Sequence, residues 1–389
     1  MSKGCLVILA TIVGGGQMGC TTPNQGRLNK AGDWRPLAEM TRRAAARNQP
    51  AVRELLHWRG SIIAVGDTCY VVDVANLWAS QLQLDADSEV LGLATQGTTA
   101  VALCGRAKQS WLLMADGEGS GQVIPVPTDQ PLGAANVRVA ASDGSIVLVT
   151  GDVCYRYGTG AWDIIRLAPL PDAVRFLAYH GGPLPDRVLL DDGNFLAAFD
   201  RGEWGGGLFR VNLDSREWEA LLGLGMVGQS QNCPVTDLCR DRRGAIWALQ
   251  SLGHSGLNEC SVWCYEGGRW QILGSTGIAE GHKGHLPRVD GRAIAFDDEN
   301  RPYVLSGAQG VFRLDQGHWV RVTPDWGEEY IYVSALLIER GLLIIATRDG
   351  GMLIYNQGTH LAAYVPLRRA GPAQAQSVDR SPPHSEGDG

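Results

Sequence analysis

The sequence predicts an all-β protein, a seven-bladed β-propeller of four-stranded antiparallel blades with a short N-terminal helix. Three observations predict it: a hairpin that keeps ending in tryptophan, a tight turn returning at intervals of 37 to 57 residues, and 51 glycines in 389 residues, about twice the ordinary share. A chain this rich in turns and this poor in charge is neither a coiled coil nor a solvated tail. With 34 basic against 41 acidic side chains the net charge is -7, so the overall field repels phosphate and nucleic acid is excluded as the expected partner.

Residues 1–20 read as an export signal or a lipoprotein leader. The stretch CLVILATIVGGG, Cys5 to Gly16, follows a short segment carrying Lys3 and is too short to span a bilayer as a stable helix. Gln17-Met18-Gly19-Cys20 then resembles the lipobox of bacterial lipoproteins, which implies lipidation of Cys20. Gly19 and Cys20 fit that pattern; Gln17 stands where the pattern has leucine. A lipid anchor on Cys20 and a cleaved secretory signal are the two readings, and both place the body outside the cytoplasm. Residues 21–50 read as a linker and a short helix over Pro36 to Asn48, capped by Asp33 and packed on the ring.

Residues 51–367 carry the repeat. Tyr157 to Trp162, Leu213 to Trp218, Tyr265 to Trp270 and Leu314 to Trp319 share one spacing, an apolar residue five positions before the tryptophan with turn formers between. Tyr355 to His360 repeats it with histidine in the last place. Tight turns near Gly60, Gly97, Gly144, Gly193, Gly244, Arg301 and Gly341 interleave with these hairpins in constant order, as expected where a hairpin needs positive φ. Each interval parses into four short strands. Inner strands are expected near residues 54, 93, 139, 189, 237, 294 and 335. One such sheet has two faces to bury, and a closed ring buries both.

Val235-Thr-Asp-Leu-Cys-Arg-Asp241-Arg-Arg-Gly244-Ala-Ile-Trp247 resembles the two-component regulator propeller repeat, whose blades read V-x-x-L-x-x-D-x-x-G-x-L-W-x-G-T. Units five to seven match best, and Ala248-Leu249 stands where the family has Gly-Thr. The resemblance implies a propeller with an extracytoplasmic sensing or binding role and supplies no catalytic residues. Residues 368–389, rich in Pro, Ser and Gly, are expected to be disordered.

In a propeller the connections from strand B to C and from strand D to the next A share one face, and here those connections are the long ones. Function is expected on that loop-rich face. Its candidate binding residues are Glu203, Trp204, His254, His282, His285, Trp326, Glu329 and Tyr330, side chains that combine apolar area with a polar contact. The hairpin tryptophans, recurring with the repeat, are assigned to blade packing. His282-Lys-Gly-His285 together with His254 is the one set that invites a metal, but HxxH between glycines in a loop is far less specific than a helical HExxH, so neither metal nor cofactor is assigned. Cys233 and Cys260, each just before a strand of unit five, are the expected disulfide. GxSxG, HExxH and phosphate-cradling motifs are missing. The sequence therefore reads as an exported binding or interaction module for a protein, peptide or glycan partner, touching a membrane only through a lipid anchor. A lyase or hydrolase acting on extracellular carbohydrate and an envelope scaffold are the alternatives.

Overall fold

Runs of β-branched and aliphatic residues, each closed by a glycine, Asp or Asn turn, form strands because a pleated backbone accommodates branching at Cβ and the turns supply positive φ. In the computed structural model of the chain they make 28 strands among the described residues, grouped in seven four-stranded sheets. The structure describes residues 35–37, 39–40 and 52–367, apart from 59–60, 67–68, 82–87, 97–98, 116–120, 143, 171–182, 203–204, 223–232, 255–256, 325, 327–331 and 348–350. The leader with Cys20, the Asp33 cap and the C-terminal tail lie outside them.

Every sheet pairs its strands in chain order, A to B to C to D, and each pair is antiparallel. The inner strands A are Val52–Trp58, Glu89–Gln96, Arg138–Ser142, Arg187–Asp191, Val235–Arg240, Gly291–Phe296 and Val333–Glu339, at the seven expected places. Two A–B turns show the hairpin chemistry directly: φ is 44° at Asp192 and 75° at Gly193, 48° at Arg340 and 78° at Gly341, the paired positive values of a tight hairpin whose twist matches its strands. One connection departs from expectation. The segment Leu252 to Glu259, expected as a long B–C loop, continues strands B and C of blade five (Ile246–His254 and Leu257–Glu266), which pair up to His254 and Leu257.

The hairpin tryptophans do pack blades. Trp218 of blade four donates its Nε1–H to Ala168 O, 3.0 Å away just past blade three, and Trp319 of blade six donates to Leu273 O of blade five at 3.2 Å. The Trp319 ring lies so close to Gly274 that a Cβ there would stand 2.2 Å from Nε1. Trp162 and Trp270 lie against Tyr157 and Tyr265, with ring centroids 5.1 and 5.2 Å apart. In blade seven the smaller His360 turns to its own hairpin, its Nδ1 2.9 Å from the Tyr355 hydroxyl.

The aspartate of the repeat has a mechanical task. Asp241 Oδ1 accepts the backbone N–H groups of Arg243 and Ala245, both at 2.9 Å, closing its own A–B turn. Its Oδ2 accepts Trp247 Nε1–H at 3.2 Å and the Asn300 amide at 3.0 Å, so one carboxylate joins turn, strand B and the next blade. Blade six repeats the device: Asp297 accepts Glu299 N, Arg301 N and Arg301 Nε, and the Tyr303 hydroxyl at 3.1 Å. Burial alone would raise the Asp297 carboxyl, yet the bonds from Arg301 and Tyr303 hold it below its ordinary value.

Because each described blade is one contiguous piece, no strand is shared across the ring closure and packing must supply it. Val52, Ile62, Ala64 and Tyr70 of blade one bury against Ile344, Ala346, Met352 and Ile354 of blade seven. The N-terminal segment reinforces blade seven from outside, Arg35 exchanging two backbone bonds of 2.8 Å with Ala362. Leu37 and Met40, on a helical turn after Pro36, are buried among Tyr355, Tyr364 and their neighbours, a burial that stabilises by about 1.5–3 kcal/mol for each side chain. No helix among the described residues is long and apolar enough to cross a membrane. Asp241→Ala is expected to cost about 2–4 kcal/mol in urea unfolding, since it strands the Trp247 and Asn300 donors, while Asp241→Asn, which keeps an acceptor, costs less.

Candidate functional site

The structure describes only part of the set expected on the loop-rich face. Glu203, Trp204, Glu329 and Tyr330 lie outside the described residues, and His254 ends a strand. Trp326 requires a correction: it is not a rim anchor but 1% exposed, packed between blades six and seven with Tyr303, Val311 and Leu353. Gly310, at φ 96°, makes that possible, because a Cβ there would stand 2.3 Å from Trp326 Nε1. The long connection Thr276 to Asp290 is likewise structural. Leu286 and Val289 are fully buried beside Trp319, and Gly284 N donates to Gly317 O on the C–D turn of blade six at 2.7 Å. The loop thus runs down the seam between blades five and six. His285 is fastened within it, Nδ1 2.6 Å from Ile278 O, and His282 is exposed. Among the described residues no three His, Cys, Asp or Glu side chains converge as metal ligands would. Cys233 and Cys260 are free thiols, so the expected bridge is not formed. One sits before strand A and the other on strand C opposite Ser251 of strand B, and two sheet spacings of about 9–10 Å exceed the span of a disulfide. Burial pushes both thiols up, Cys233 to about 12.

What the ring does assemble is a cavity of about 580 Å³ along the inner strands of blades five, six, seven and one, within the range of small-ligand sites. Its walls are mostly aliphatic, including Leu55, Leu56, Leu238, Ile294, Leu336 and Ile338. Arg53, Glu54, Arg187 and Asp237 form its floor, at the starts of the inner strands. His57, Arg242, Asp298 and Arg340 stand at its mouth, on the A–B-turn face. The cavity therefore opens on the face with the tight turns, opposite the loop-rich one.

The floor exists because of a recurring β-bulge. Five inner strands shift register at their second or third residue, between Val52 and Glu54, Val90 and Gly92, Val235 and Asp237, Gly291 and Ala293, and Val333 and Ala335. An extra residue at such a point bends the strand and re-aims the side chain that follows. At that position blades one and five carry carboxyls and the other three carry Gly or Ala. A sequence signal for the floor is there: Val52-Arg-Glu-Leu55, Val90-Leu-Gly-Leu93, Val235-Thr-Asp-Leu238 and Val333-Ser-Ala-Leu336 superimpose, and an acid inside an apolar strand is the anomaly.

The two carboxyls are treated differently. Asp237 is saturated: Oδ1 accepts Leu238 N at 3.0 Å and Arg187 Nε at 3.3 Å, and Oδ2 accepts Ile294 N of the next blade at 2.9 Å. Arg187 also crosses the axis to Arg53 O at 2.7 Å, tying blade four to blade one, and Arg53 donates to Gly66 O at 2.7 Å. Alongside, Asp186 holds Arg201 and Asp200 N, and burial lowers Arg138 to about 10. Glu54 has no hydrogen bond or ion pair to any described residue, and burial raises its carboxyl despite the nearby guanidinium groups of Arg187, Arg53 and Arg138.

No family model matches the sequence, and no curated protein sequence matches it. Solved structures do share the fold. A GH74 enzyme from Niastella koreensis superposes with a TM-score of 0.57 at 12% identity over 83% of this chain and 55% of its own. A catalytically inactive virginiamycin B lyase from Staphylococcus aureus, solved with quinupristin, gives 0.52 at 10% identity over 79% of this chain and 95% of its own. The extracellular domain of BT4673 from B. thetaiotaomicron gives 0.50 at 12% identity over 79% of this chain and 38% of its own. The chain thus spans about half the length of the GH74 enzyme. At these identities the likeness is one of fold: the protein is a seven-bladed β-propeller.

The burial of Trp326 has a direct consequence. Trp326→Ala is expected to lower stability by about 3–5 kcal/mol through the cavity it leaves, visible as a large fall in Tm.

Proposed function

We propose that this chain is an exported binding propeller that takes its ligand in the axial cavity. One observation carries the reading: the cavity offers a mostly aliphatic wall and a single uncommitted carboxyl, Glu54, because both oxygens of Asp237 are already engaged. Glycoside hydrolysis in its usual form needs two carboxyl groups flanking the bond, one to protonate and one to attack or activate water. This floor lacks the second, so binding is favoured over a lyase or hydrolase. Export enters through the leader and its lipobox-like Gly19-Cys20.

The test is a screen of the full chain against glycan and peptide arrays and a small-molecule library, in parallel with two variants. Leu337 lines the cavity and is half-buried, so Leu337→Trp narrows it. Binding is expected to fall at least tenfold in Leu337→Trp with the fold intact by circular dichroism, and to persist in Trp204→Ala. Loss confined to Trp204→Ala would return the site to the loop-rich face, where a protein, peptide or glycan partner would dock. Formation of a cleaved product would reinstate the enzyme.

The leader is tested separately. Cys20→Ser is expected to release the chain from the membrane fraction, since acyl chains on that residue would be the anchor. An unlipidated mature N-terminus by mass spectrometry, with unchanged fractionation, would remove the anchor and leave a cleaved signal.

A further inference from the structure

We propose that the axial cavity takes a primary amine carried on an aliphatic stem, with Glu54 as the acceptor for its head. The inference rests on the reading of the cavity as the binding site and assigns the chemistry of what enters. Three features of the floor and walls point to it.

First, the floor has one unanswered group. Arg187 is bound to Asp237 and to Arg53 O, Asp237 accepts three donors, and Arg53 donates to Gly66 O. Among the floor groups Glu54 alone has no hydrogen bond or ion pair to a described residue. Glu54 is half-buried on the cavity, and an acceptor partly desolvated without a protein donor is a cost that a ligand donor would remove. A cationic head removes more of it than a neutral one, because a hydrogen bond to an ionised group is about twice as strong.

Second, the path to Glu54 is apolar. Leu55, Leu56, Leu238, Ile294, Leu336 and Ile338 line it, so whatever reaches the floor does so on a stem that is better off out of water. From Glu54 to the end of its strand at Trp58 the distance is about 13 Å at the rise of an antiparallel strand. A free alkylamine lying within has the right polarity along that path, whereas a lysine side chain, shorter than the path, reaches Glu54 only if its backbone also enters the mouth.

Third, an ammonium at the floor would compete with a proton for Glu54, against the field of three guanidinium groups. Burial raises the Glu54 carboxyl, with Asp237 adding to the shift and Arg187, Arg53 and Arg138 opposing it. An ammonium would draw the carboxyl back to its ionised form. Bound amine and bound proton therefore compete, and amine affinity should rise with pH until Glu54 is fully ionised and then level off. The groups facing Glu54 in this balance are Arg53, Arg138, Arg187 and Asp237; of the other charged groups of the cavity, Arg242 pairs with Asp298 and Arg240 with Asp191, Glu339 lies 3.6 Å from His57, and Arg340 stands at the mouth with no ion pair to a described residue.

The experiment is calorimetric titration of the full chain with n-hexylamine, n-hexanol and n-hexanoate, and with acetyl-Gly-Lys-Gly-amide to separate a free amine from a peptide side chain. Hexylamine or the lysine peptide is expected to bind at least tenfold more tightly than the alcohol, and hexanoate more weakly than either. Glu54→Gln should remove that preference. The variant should fold well, because it deletes a carboxyl that is ionised only at a cost in this environment, and its Tm at neutral pH is expected to match or exceed that of the natural chain. If the alcohol or acid binds as well as the amine, and Leu337→Trp abolishes it, the amine assignment is overturned and the cavity stays as the site. Amine binding that neither Glu54→Gln nor Leu337→Trp alters, or no heat with any of the four probes, overturns both.

Discussion

A four-stranded sheet of this composition is apolar on both faces, and one face cannot be buried by a hairpin of its own. Ile63 and Val65 of blade one turn toward blade two while Ile62 and Ala64 turn toward blade seven, so alternate residues of one strand serve two different interfaces. Every blade therefore needs two neighbours, and only a closed ring provides them for all seven. The rest of the architecture follows from this two-sided burial. The tryptophan of strand D reaches back to a carbonyl of the preceding blade, Gly274 gives up its side chain to admit Trp319, and Trp326 fills the seam beyond.

Closing the ring creates an axis that the strands themselves cannot fill. Side chains on the inner strands are divided between the interfaces and the axis, and the bulges re-aim the residues that form the floor. On one side Arg53, Arg187 and Asp237 bridge the opening with hydrogen bonds that join blades four, five and one. Toward the other side Ala295, Leu336 and their neighbours leave space. Buried ionic groups of this kind contribute little net stability, but their fixed geometry gives the cavity a polar floor under an apolar wall. The unpaired carboxyl of Glu54 is tolerated because it is only half-buried and opens on the cavity.

The fold is shared with a GH74 enzyme and a virginiamycin B lyase, but a shared fold does not bring with it the groups on the axis. The likeness in backbone extends over about four-fifths of the chain at 10–12% identity, which fixes where blades stand and nothing about the groups that face the axis. Here the axial carboxyls are split between a structural one and a solitary one. The hydrogen bonds of Asp237 to two backbone N–H groups and a guanidinium make it a brace between blades.

The sequence by itself determined the number of blades, the order of strands and the residues that pack them. Those depend on local chemistry: glycine and Asp or Asn where a hairpin needs positive φ, period-two apolar runs, an aspartate six positions before the aromatic whose polar edge it holds. Such signals lie within a few residues of each other and repeat, so they are legible without a structure. The site was not. Long loops drew attention to one face, yet Leu286 and Val289 press the longest described connection into a seam, and Trp326, polar and aromatic in a loop, is core. Glu54, Arg187 and Asp237 stand 50 to 183 residues apart in the chain, and only closure of the ring brings them to one floor. Whether a side chain in an apolar strand is a brace, a seal or an open acceptor is decided by which partners arrive from other blades, and that is a property of the tertiary structure alone.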